Sequence, residues 1–261
     1  MARVLVIVPF PLGESGMANR ADQLGKVELG PDIEFEFRGV RAGPALLDSG
    51  HDTGLAEVAL AEVGIRAQEE GFDAVCIDTM SDSGVGILRS FLDIPVIGPG
   101  RASYLTALML GDTFSVLTQW DGWIAIYKKG VRDLGLESHL ASIRSINMLP
   151  DVDNLLGGKE DVVFPLLREA GMACIEEDGA QVICMGSTTM HQAVPYLQAE
   201  LPVPVINPGP LSYKLAELVL GLGLTHSKKA WPPPNVPKPE MLAAMMQAAA
   251  ESETLQHSVA K

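Results

Sequence analysis

The sequence predicts an α/β protein of two pseudo-symmetric, Rossmann-like α/β/α halves, each with a parallel sheet, and with a small-molecule site in the cleft between them. Two observations lead to this fold class. Short apolar runs bounded by turn residues alternate with longer helical segments, and one strand–helix–strand–helix unit occurs twice. Aromatic residues make up only 5% of the chain while Val, Ile, Leu and Ala are abundant, which is typical of parallel strands buried under helices.

Seven apolar runs are short enough, and bounded closely enough by turn residues, to be buried strands. They cover residues 2–8, 34–40, 74–78, 95–97, 115–118, 182–185 and 204–206. Helical segments lie between them at residues 55–70, 102–110, 123–134, 161–177 and 211–222. Because strand and helix alternate, the crossovers should be right-handed and the sheets parallel.

The duplicated unit is visible in two pairs of segments. AVCIDT at residues 74–79 superposes on VICMGS at 182–187 with an offset of 108 residues. PVIGPGRASYLTALMLG at 95–111 aligns with PVINPGPLSYKLAELVLG at 204–221 with an offset of 109 residues. The duplication predicts one half formed by residues 1–97 together with 208–261, and a second half formed by residues 98–207.

Composition limits the classes of partner. The formal net charge of −14 would repel a nucleic-acid backbone or an anionic membrane surface, so neither is expected as a partner. Three scattered cysteines, Cys76, Cys174 and Cys184, give no disulfide framework, and no Cys or His spacing predicts a metal site. The first apolar run is too short for a signal peptide or a membrane span, so a cytoplasmic protein is expected.

Two hydroxyl residues end equivalent strands of the repeat. Thr79 follows the strand at 74–78 and Ser187 follows the strand at 182–185. In open α/β sheets the ligand crevice lies beyond the carboxyl ends of the strands, so a pseudo-twofold axis would place both residues on opposite sides of one pocket. The alternative is that each merely caps the helix that follows it.

Several motifs, in their order and spacing, resemble the aspartate/glutamate/hydantoin racemase superfamily, and within it the hydantoin racemase branch, over nearly the whole chain. They are VIVPF, DAVCIDTMSDSG followed by IPVIGPGRAS, FSVLTQ, GLESHLASIRSINMLP, QVICMGSTTM and KLAELVLGLGLTHSKKAWPPP. The resemblance implies two α/β/α halves with an active site between them. It also implies carbon-acid chemistry without a metal or an organic cofactor.

The family resemblance implies two catalytic cysteines, one in each half, at the positions of Thr79 and Ser187. Both thiols are missing here, and an alcohol needs an adjacent base to do what a thiolate does, so the two-thiol mechanism is excluded. Cys76 and Cys184 lie three residues earlier, inside buried strands, and are expected to be core residues. The Asn-Pro-Asn-Thr-like turn usual in the family is replaced by residues 8–11, an apolar wall that indicates a different substrate.

Further residues are candidates for the site. His191 could lie one helical turn beyond Ser187 and act with it, although a solvent-facing histidine is the alternative. Asp78 is expected to point away from Thr79. Substrate contacts are predicted at the two strand ends and the facing turns, namely at Pro9, Phe10, Met80, Ser81, Asp82, Arg101, Thr118, Gln119, Thr188, Thr189 and Pro208.

Three functions are compatible with these residues. The first is a cofactor-independent, isomerase-like enzyme acting on a small carboxylate or a hydantoin-like cyclic amide through an enolate-like species. The second is a hydrolase or lyase using Ser187 or Thr79, with His191 as the base. The third is an inactive protein that binds a metabolite. A homo-oligomer is expected, and the helical stretch after Pro239 is a candidate for docking on another subunit.

Overall fold

In the computed structural model, which describes residues 1–150 and 159–259, two separate four-stranded parallel sheets form the framework. The first sheet contains β1 Ala2–Val8, β2 Ile33–Gly39, β3 Ala74–Ile77 and β4 Val96–Ile97, in the order β2-β1-β3-β4. The second contains β5 Phe114–Thr118, β6 Leu140–Ser145, β7 Val182–Met185 and β8 Val205–Ile206, in the order β6-β5-β7-β8. The predicted fold class is confirmed.

The two sheets have the same strand order and the same neighbour relations. β1 pairs with β3 so that Val4 lies opposite Ala74, and β5 pairs with β7 so that Phe114 lies opposite Val182. β3 and β7 are fully buried along their length, as their continuous apolar runs predict. The duplication seen in the sequence is therefore a duplication of sheet topology.

One strand was not predicted. β6 lies at the edge of the second sheet, and each of its six residues is only partly buried. Its sequence, LASIRS, mixes polar and apolar residues because one side of an edge strand is free of neighbours. It carries no continuous apolar run, and it also lacks the regular alternation that β2, an edge strand of the first sheet, shows in IEFEFRG.

Nine helices lie within the described residues. They are α1 Glu14–Ala21, α2 Gly50–Gly64, α3 Val85–Phe91, α4 Pro99–Leu110, α5 Ile124–Asp133, α6 Glu160–Glu176, α7 Val194–Glu200, α8 Pro208–Gly221 and α9 Pro239–Val259.

The predicted helix over residues 55–70 is displaced. α2 begins at Gly50, because the Ser49 hydroxyl caps it by accepting the Asp52 N–H at 3.1 Å, and it ends at Gly64. The helices α1, α3 and α7 were not predicted, since seven or eight residues are too few to show a helical period.

The helices that follow β4 and β8 each pack on the opposite sheet. α4 lies against β7 and β5, α8 lies against β3 and β4, and the two helices pack on each other. Both begin with a proline, whose fixed φ suits the first helical position.

The division of the chain at residues 97/98 and 207/208 stays a prediction.

The last helix, α9, packs on α2 of its own chain. Met246 is buried there, and Glu240 forms an ion pair with Arg66. The expectation that this stretch docks on another subunit is therefore wrong for the face that contacts α2, because the apolar side chains of α2 already cover it. Among the described residues no helix is both long and apolar enough to cross a membrane.

We predict that Cys76 and Cys184 react with a thiol reagent only when the protein unfolds. Both side chains are fully buried in their strands, and burial raises the pKa of each thiol far above its usual range. Labelling with a disulfide reagent, followed by mass mapping of the modified peptides, measures this with and without denaturant. Rapid modification of either residue in the folded protein would contradict the buried positions.

A pocket between the two sheets

The carboxyl ends of the central strands of both sheets meet at one pocket. It encloses about 480 Å³, including the part open to solvent. Its walls come from the segments after β1, β3 and β7 and from the helices α1 and α5. The lining residues are Pro9, Phe10, Arg20, Leu47, Asp78, Thr79, Met80, Ser81, Trp123, Ile126, Tyr127, Gly186, Ser187, Thr188 and Thr189.

Thr79 and Ser187 both line this pocket, one from each sheet. Thr79 Oγ1 accepts the Ser81 N–H at 3.4 Å and lies 3.2 Å from Ser81 Oγ. Ser187 repeats the arrangement, since its Oγ accepts the Thr189 N–H at 3.3 Å and lies 2.7 Å from Thr189 Oγ1. Each hydroxyl thus stabilises its own turn, as the capping alternative expects, while it also lines the cavity.

The predicted apolar wall is part of the same pocket. Pro9 and Phe10 follow β1, and Met80 faces them from the segment after β3. Leu47, Trp123 and Ile126 complete this wall, and sequence reasoning missed all three. An apolar wall opposite hydroxyl groups suits a small ring that carries carbonyl oxygens along one edge.

A buried ion pair forms another wall. The Arg20 guanidinium donates from NH1 to Asp78 Oδ2 at 2.9 Å, and both side chains are almost completely buried. Gln23 Nε2 donates to the other Asp78 oxygen at 3.1 Å. Asp78 was expected to point away from Thr79 and to be structural. It also lines the pocket, where Arg20 and Gln23 hold its carboxylate.

The same arginine reaches the second half of the protein. Arg20 NH1 also donates to Thr188 Oγ1 at 3.3 Å, and that hydroxyl in turn donates to the Asp78 carbonyl oxygen at 3.3 Å. Sequence reasoning missed Arg20, although a buried aspartate at the end of a strand was a signal that a cation must lie nearby.

On the opposite side a neutral contact takes the place of this ion pair. The Tyr127 hydroxyl donates to the Gly186 carbonyl oxygen at 2.7 Å and lies 2.8 Å from Thr118 Oγ1. A Cβ atom at Gly186 would lie 2.8 Å from that hydroxyl, so only glycine fits here. Thr118 is fully buried behind this contact and, contrary to the prediction, does not line the pocket.

Asp82 and Arg101, both predicted to contact substrate, lie elsewhere. Asp82 adopts φ 54°, which turns its carboxylate towards α4, where it accepts the N–H groups of Gly100 at 2.8 Å and Arg101 at 2.7 Å. Both residues line a neighbouring cavity that shares Met80, Ser81 and Ile126 with the main pocket. Burial raises the pKa of Asp82 to about 6, against the lowering effect of its two backbone donors.

His191 is neither solvent-facing nor part of the pocket wall. It is fully buried, and its ring nitrogens lie 3.2 Å from the Thr188 carbonyl oxygen and 3.2 Å from Asp22 Oδ2. Burial lowers its pKa, while Asp22 and the Thr188 carbonyl act in the opposite direction. Residues 188–193 form a 3₁₀ helix, so the α-helical spacing that should have brought His191 towards Ser187 does not apply.

The two remaining predicted contacts are also outside the pocket wall. Gln119 is buried after β5, where its backbone carbonyl oxygen accepts the Met148 N–H at 2.8 Å. Pro208 is buried at the first position of α8. Of the polar groups that do line the cavity, hydroxyls are the most numerous, and no cysteine is among the lining residues. Within the described ranges no three His, Cys, Asp or Glu side chains come together as a metal site would require.

Two parallel sheets with matching order, whose strand ends meet at a pocket walled in part by hydroxyl groups, define a duplicated α/β protein. The chain belongs to the Asp/Glu/hydantoin racemase family, which matches residues 14–216. It is similar to the hydantoin racemase of Pseudomonas sp. strain NS671, with 31% identity over 214 residues, 81% of this chain and 84% of that protein.

Two solved structures are similar over almost the whole chain. The allantoin racemase from Klebsiella pneumoniae has a TM-score of 0.82 and 26% identity, covering 91% of this chain and 95% of that one. The allantoin racemase from Pseudomonas fluorescens has a TM-score of 0.80 and 27% identity, covering 90% and 98%. The chain is therefore an enzyme of the racemase superfamily, and the resemblance inferred from its motifs is confirmed.

We predict that Asp82→Asn removes part of the pH dependence of stability. The folded protein holds the Asp82 proton more tightly than the unfolded chain does. The contribution of this carboxyl group to the free energy of unfolding therefore falls as pH rises from about 4 to about 6. Because the side chain is partly exposed, we expect the loss to be only about 1 kcal/mol. Urea unfolding at pH 4.5 and pH 7.5 measures it.

The control for this experiment is Asp93→Asn, which removes a carboxylate that is 75% exposed. Asp93→Asn should keep the wild-type difference in the free energy of unfolding between the two pH values, whereas Asp82→Asn should reduce that difference. An unchanged difference in Asp82→Asn would show that this carboxyl group does not have a raised pKa in the folded protein.

Proposed function

We propose that this enzyme acts on a small carboxylate or a hydantoin-like cyclic amide, without a metal or an organic cofactor, and through an enolate-like species. The observation that carries the proposal is that Thr79 and Ser187, which follow equivalent strands of the two sheets, line the same pocket. The relatives named as hydantoin and allantoin racemases support the substrate class, since both names denote cyclic amides.

The hydroxyl pair suits hydrogen-bond donation better than proton abstraction. The side-chain partners of the two hydroxyls are other hydroxyls, those of Ser81 and Thr189, so neither has a carboxylate or imidazole to act as its base. An alcohol without an adjacent base is a poor proton acceptor, but it donates well to an oxygen on which negative charge develops. We therefore assign Thr79 and Ser187 to stabilising the enolate oxygen or carbonyl oxygens of the substrate.

The thiols of the chain do not offer the two-cysteine mechanism. Cys76 and Cys184 donate to backbone carbonyls of Ser212 and Ser103 from within their strands, and burial raises the pKa of both. Cys174 is buried in α6. The proposal is therefore carbon-acid chemistry supported by hydroxyl groups. In isomerisation or one-sided proton transfer the proton from carbon would pass to solvent water at the open side of the pocket, whereas bond cleavage would leave the electron pair of the broken bond on the substrate and needs no protein base.

A hydrolase or lyase reaction at Ser187 has less support. It needs a base in contact with the Ser187 hydroxyl, and both ring nitrogens of His191 are directed at other partners, Asp22 and the Thr188 carbonyl.

A cytoplasmic location and a homo-oligomeric state stay predictions from the sequence.

We predict that Thr79→Ala and Ser187→Ala impair function far more than stability. Loss of the local turn contact should cost about 1 kcal/mol in each variant. Affinity for ligand, or turnover, should fall at least about tenfold in each, because a hydrogen bond to a substrate oxygen in a buried pocket is lost. Urea unfolding gives the stability, and calorimetric titration with a panel of hydantoins, lactams, lactones and dicarboxylates gives the affinity.

Ser83→Ala is the matched control for this pair. Its hydroxyl lies 2.9 Å from Ser81 Oγ in the same turn but does not line the pocket. The control should lose a similar amount of stability and keep the wild-type affinity. If the two pocket variants behave like Ser83→Ala, the hydroxyls act only as caps, and if the wild type binds no member of the panel, the proposed substrate class is wrong.

We further predict no racemisation of aspartate, glutamate or simple 5-alkylhydantoins by the wild type, because no thiol lines the pocket. Proton NMR in deuterium oxide should show exchange at the α-carbon no faster than in buffer. The double variant Thr79→Cys/Ser187→Cys, which places a thiol on each side, should accelerate exchange of the hydantoins. Enzymic exchange by the wild type would contradict the prediction that these three classes of substrate need a thiol on each side of the pocket.

A further inference from the structure

The Arg20 guanidinium is held on one side only. Within the described residues, the NH1 group donates all the hydrogen bonds of this side chain, and their acceptors are Asp78 and Thr188 Oγ1. Both carboxylate oxygens of Asp78 are themselves satisfied, one by Arg20 and the other by Gln23. The anion of this ion pair therefore needs no further partner, whereas the cation keeps unused donors.

Those donors lie along one edge of the guanidinium. Within residues 1–150 and 159–259, Arg20 Nε and NH2 have no hydrogen-bond acceptor, although only 4% of the residue is exposed and it lines the pocket. Neither nitrogen is among the fully buried polar atoms that lack a partner, so both remain accessible to a ligand in the pocket. Nε and NH2 are also the two groups that bind both oxygens of a carboxylate in fork geometry.

The surroundings make this edge a selective site. Among the residues that line the pocket Arg20 is the one lysine or arginine, and the other polar groups are mainly hydroxyls. The chain carries a net charge of −14, so its overall field repels an anion, and a local cation is needed to hold one. The Phe10 ring lies 5.8 Å from the guanidinium carbon and covers one face of it, which restricts the ligand to the edge.

The position of Arg20 also fits the proposed reaction centre. Asp78 directly precedes Thr79, and Thr188 directly follows Ser187, so NH1 is bound by the sequence neighbours of both hydroxyl residues. Arg20, Thr79 and Ser187 all line the same pocket, so a ligand held at the free edge shares that pocket with both hydroxyl groups. The neighbouring cavity has its own cations, which are Arg89, Arg101 and Lys129.

We propose that the substrate of this pocket carries a carboxylate, and that Arg20 binds its two oxygens through Nε and NH2 while the hydroxyls of Thr79 and Ser187 bind a carbonyl oxygen. The proposal rests on the function proposed above for the pocket and narrows its substrate class to carboxylate-bearing compounds. Asp78 is a positioning residue, because it holds NH1 and leaves the opposite edge free.

Two ligands of nearly equal shape test this in the wild type. Hydantoin-5-acetate and 5-isobutylhydantoin differ mainly in replacing a carboxylate by an isopropyl group. Calorimetric titration should show at least about tenfold tighter binding of the acetate, because a charge-assisted bidentate contact is gained. Allantoin, whose ureido group offers one neutral carbonyl oxygen, should bind more weakly than the acetate.

Three variants assign the preference to Arg20. Arg20→Lys keeps the positive charge but lacks the fork, and should reduce the preference for the acetate about tenfold. The double variant Arg20→Gln/Asp78→Asn removes both charges together, which avoids leaving a buried carboxylate unpaired, and should abolish the preference. Arg101→Gln is the matched control from the neighbouring cavity, and should keep the wild-type preference.

Each result separates this proposal from the broader one. If the wild type binds both hydantoins equally, binds allantoin as tightly as the acetate, or keeps its preference in Arg20→Lys and the double variant, the carboxylate site at Arg20 is wrong while the cyclic-amide function stands. Loss of the preference in Arg101→Gln would place the site in the other cavity. If none of the three ligands binds the wild type, both proposals fail.

Discussion

A single buried cation joins the two halves of the site. Arg20 binds the carboxylate of Asp78 at the end of β3 and the hydroxyl of Thr188 in the turn after β7, and Thr188 closes the triangle by donating to the Asp78 backbone. The turns that carry Thr79 and Ser187 are therefore fixed relative to each other. Removing one partner of such a pair leaves an uncompensated charge and costs about 3–5 kcal/mol, so the pocket geometry depends on this contact.

The contact also makes a symmetric fold chemically asymmetric. Gly186 stands in the repeat position of Asp78, and the Tyr127 hydroxyl fills the space that a side chain there would need. One wall of the pocket thus carries a buried ion pair and the other a neutral tyrosine, with a hydroxyl residue beside each. Duplication explains why two equivalent hydroxyls meet, and the divergence of the two walls gives a bound ligand one preferred orientation.

The fold could be predicted because its signals are local and repeated. Continuous apolar runs mark strands buried on both faces, and the repeat shows that both halves share one topology. β6 was missed because its sequence, LASIRS, has neither a continuous apolar run nor the regular alternation of β2, which is also an edge strand. The boundaries of α2 were misplaced because its start depends on the Ser49 cap rather than on periodicity.

The sequence predicts the site residues whose positions are set by the repeated topology. It does not predict those whose positions depend on local backbone conformation. Thr79 and Ser187 end buried strands, so their place in the pocket follows from the topology. Asp82 was misplaced because a left-handed φ turns it towards α4, and His191 because its segment is a 3₁₀ helix. Arg20 lies in a short helix without a repeated motif, and only the three-dimensional structure brings it to Asp78.

The most direct test of this account is a crystal structure with hydantoin-5-acetate bound. The account predicts one ligand between the two sheets, with a carbonyl oxygen within hydrogen-bond distance of Thr79 or Ser187 and its carboxylate at Arg20. A ligand seated beside Arg101 in the neighbouring cavity, or one that leaves Thr79 and Ser187 without a contact, would contradict it.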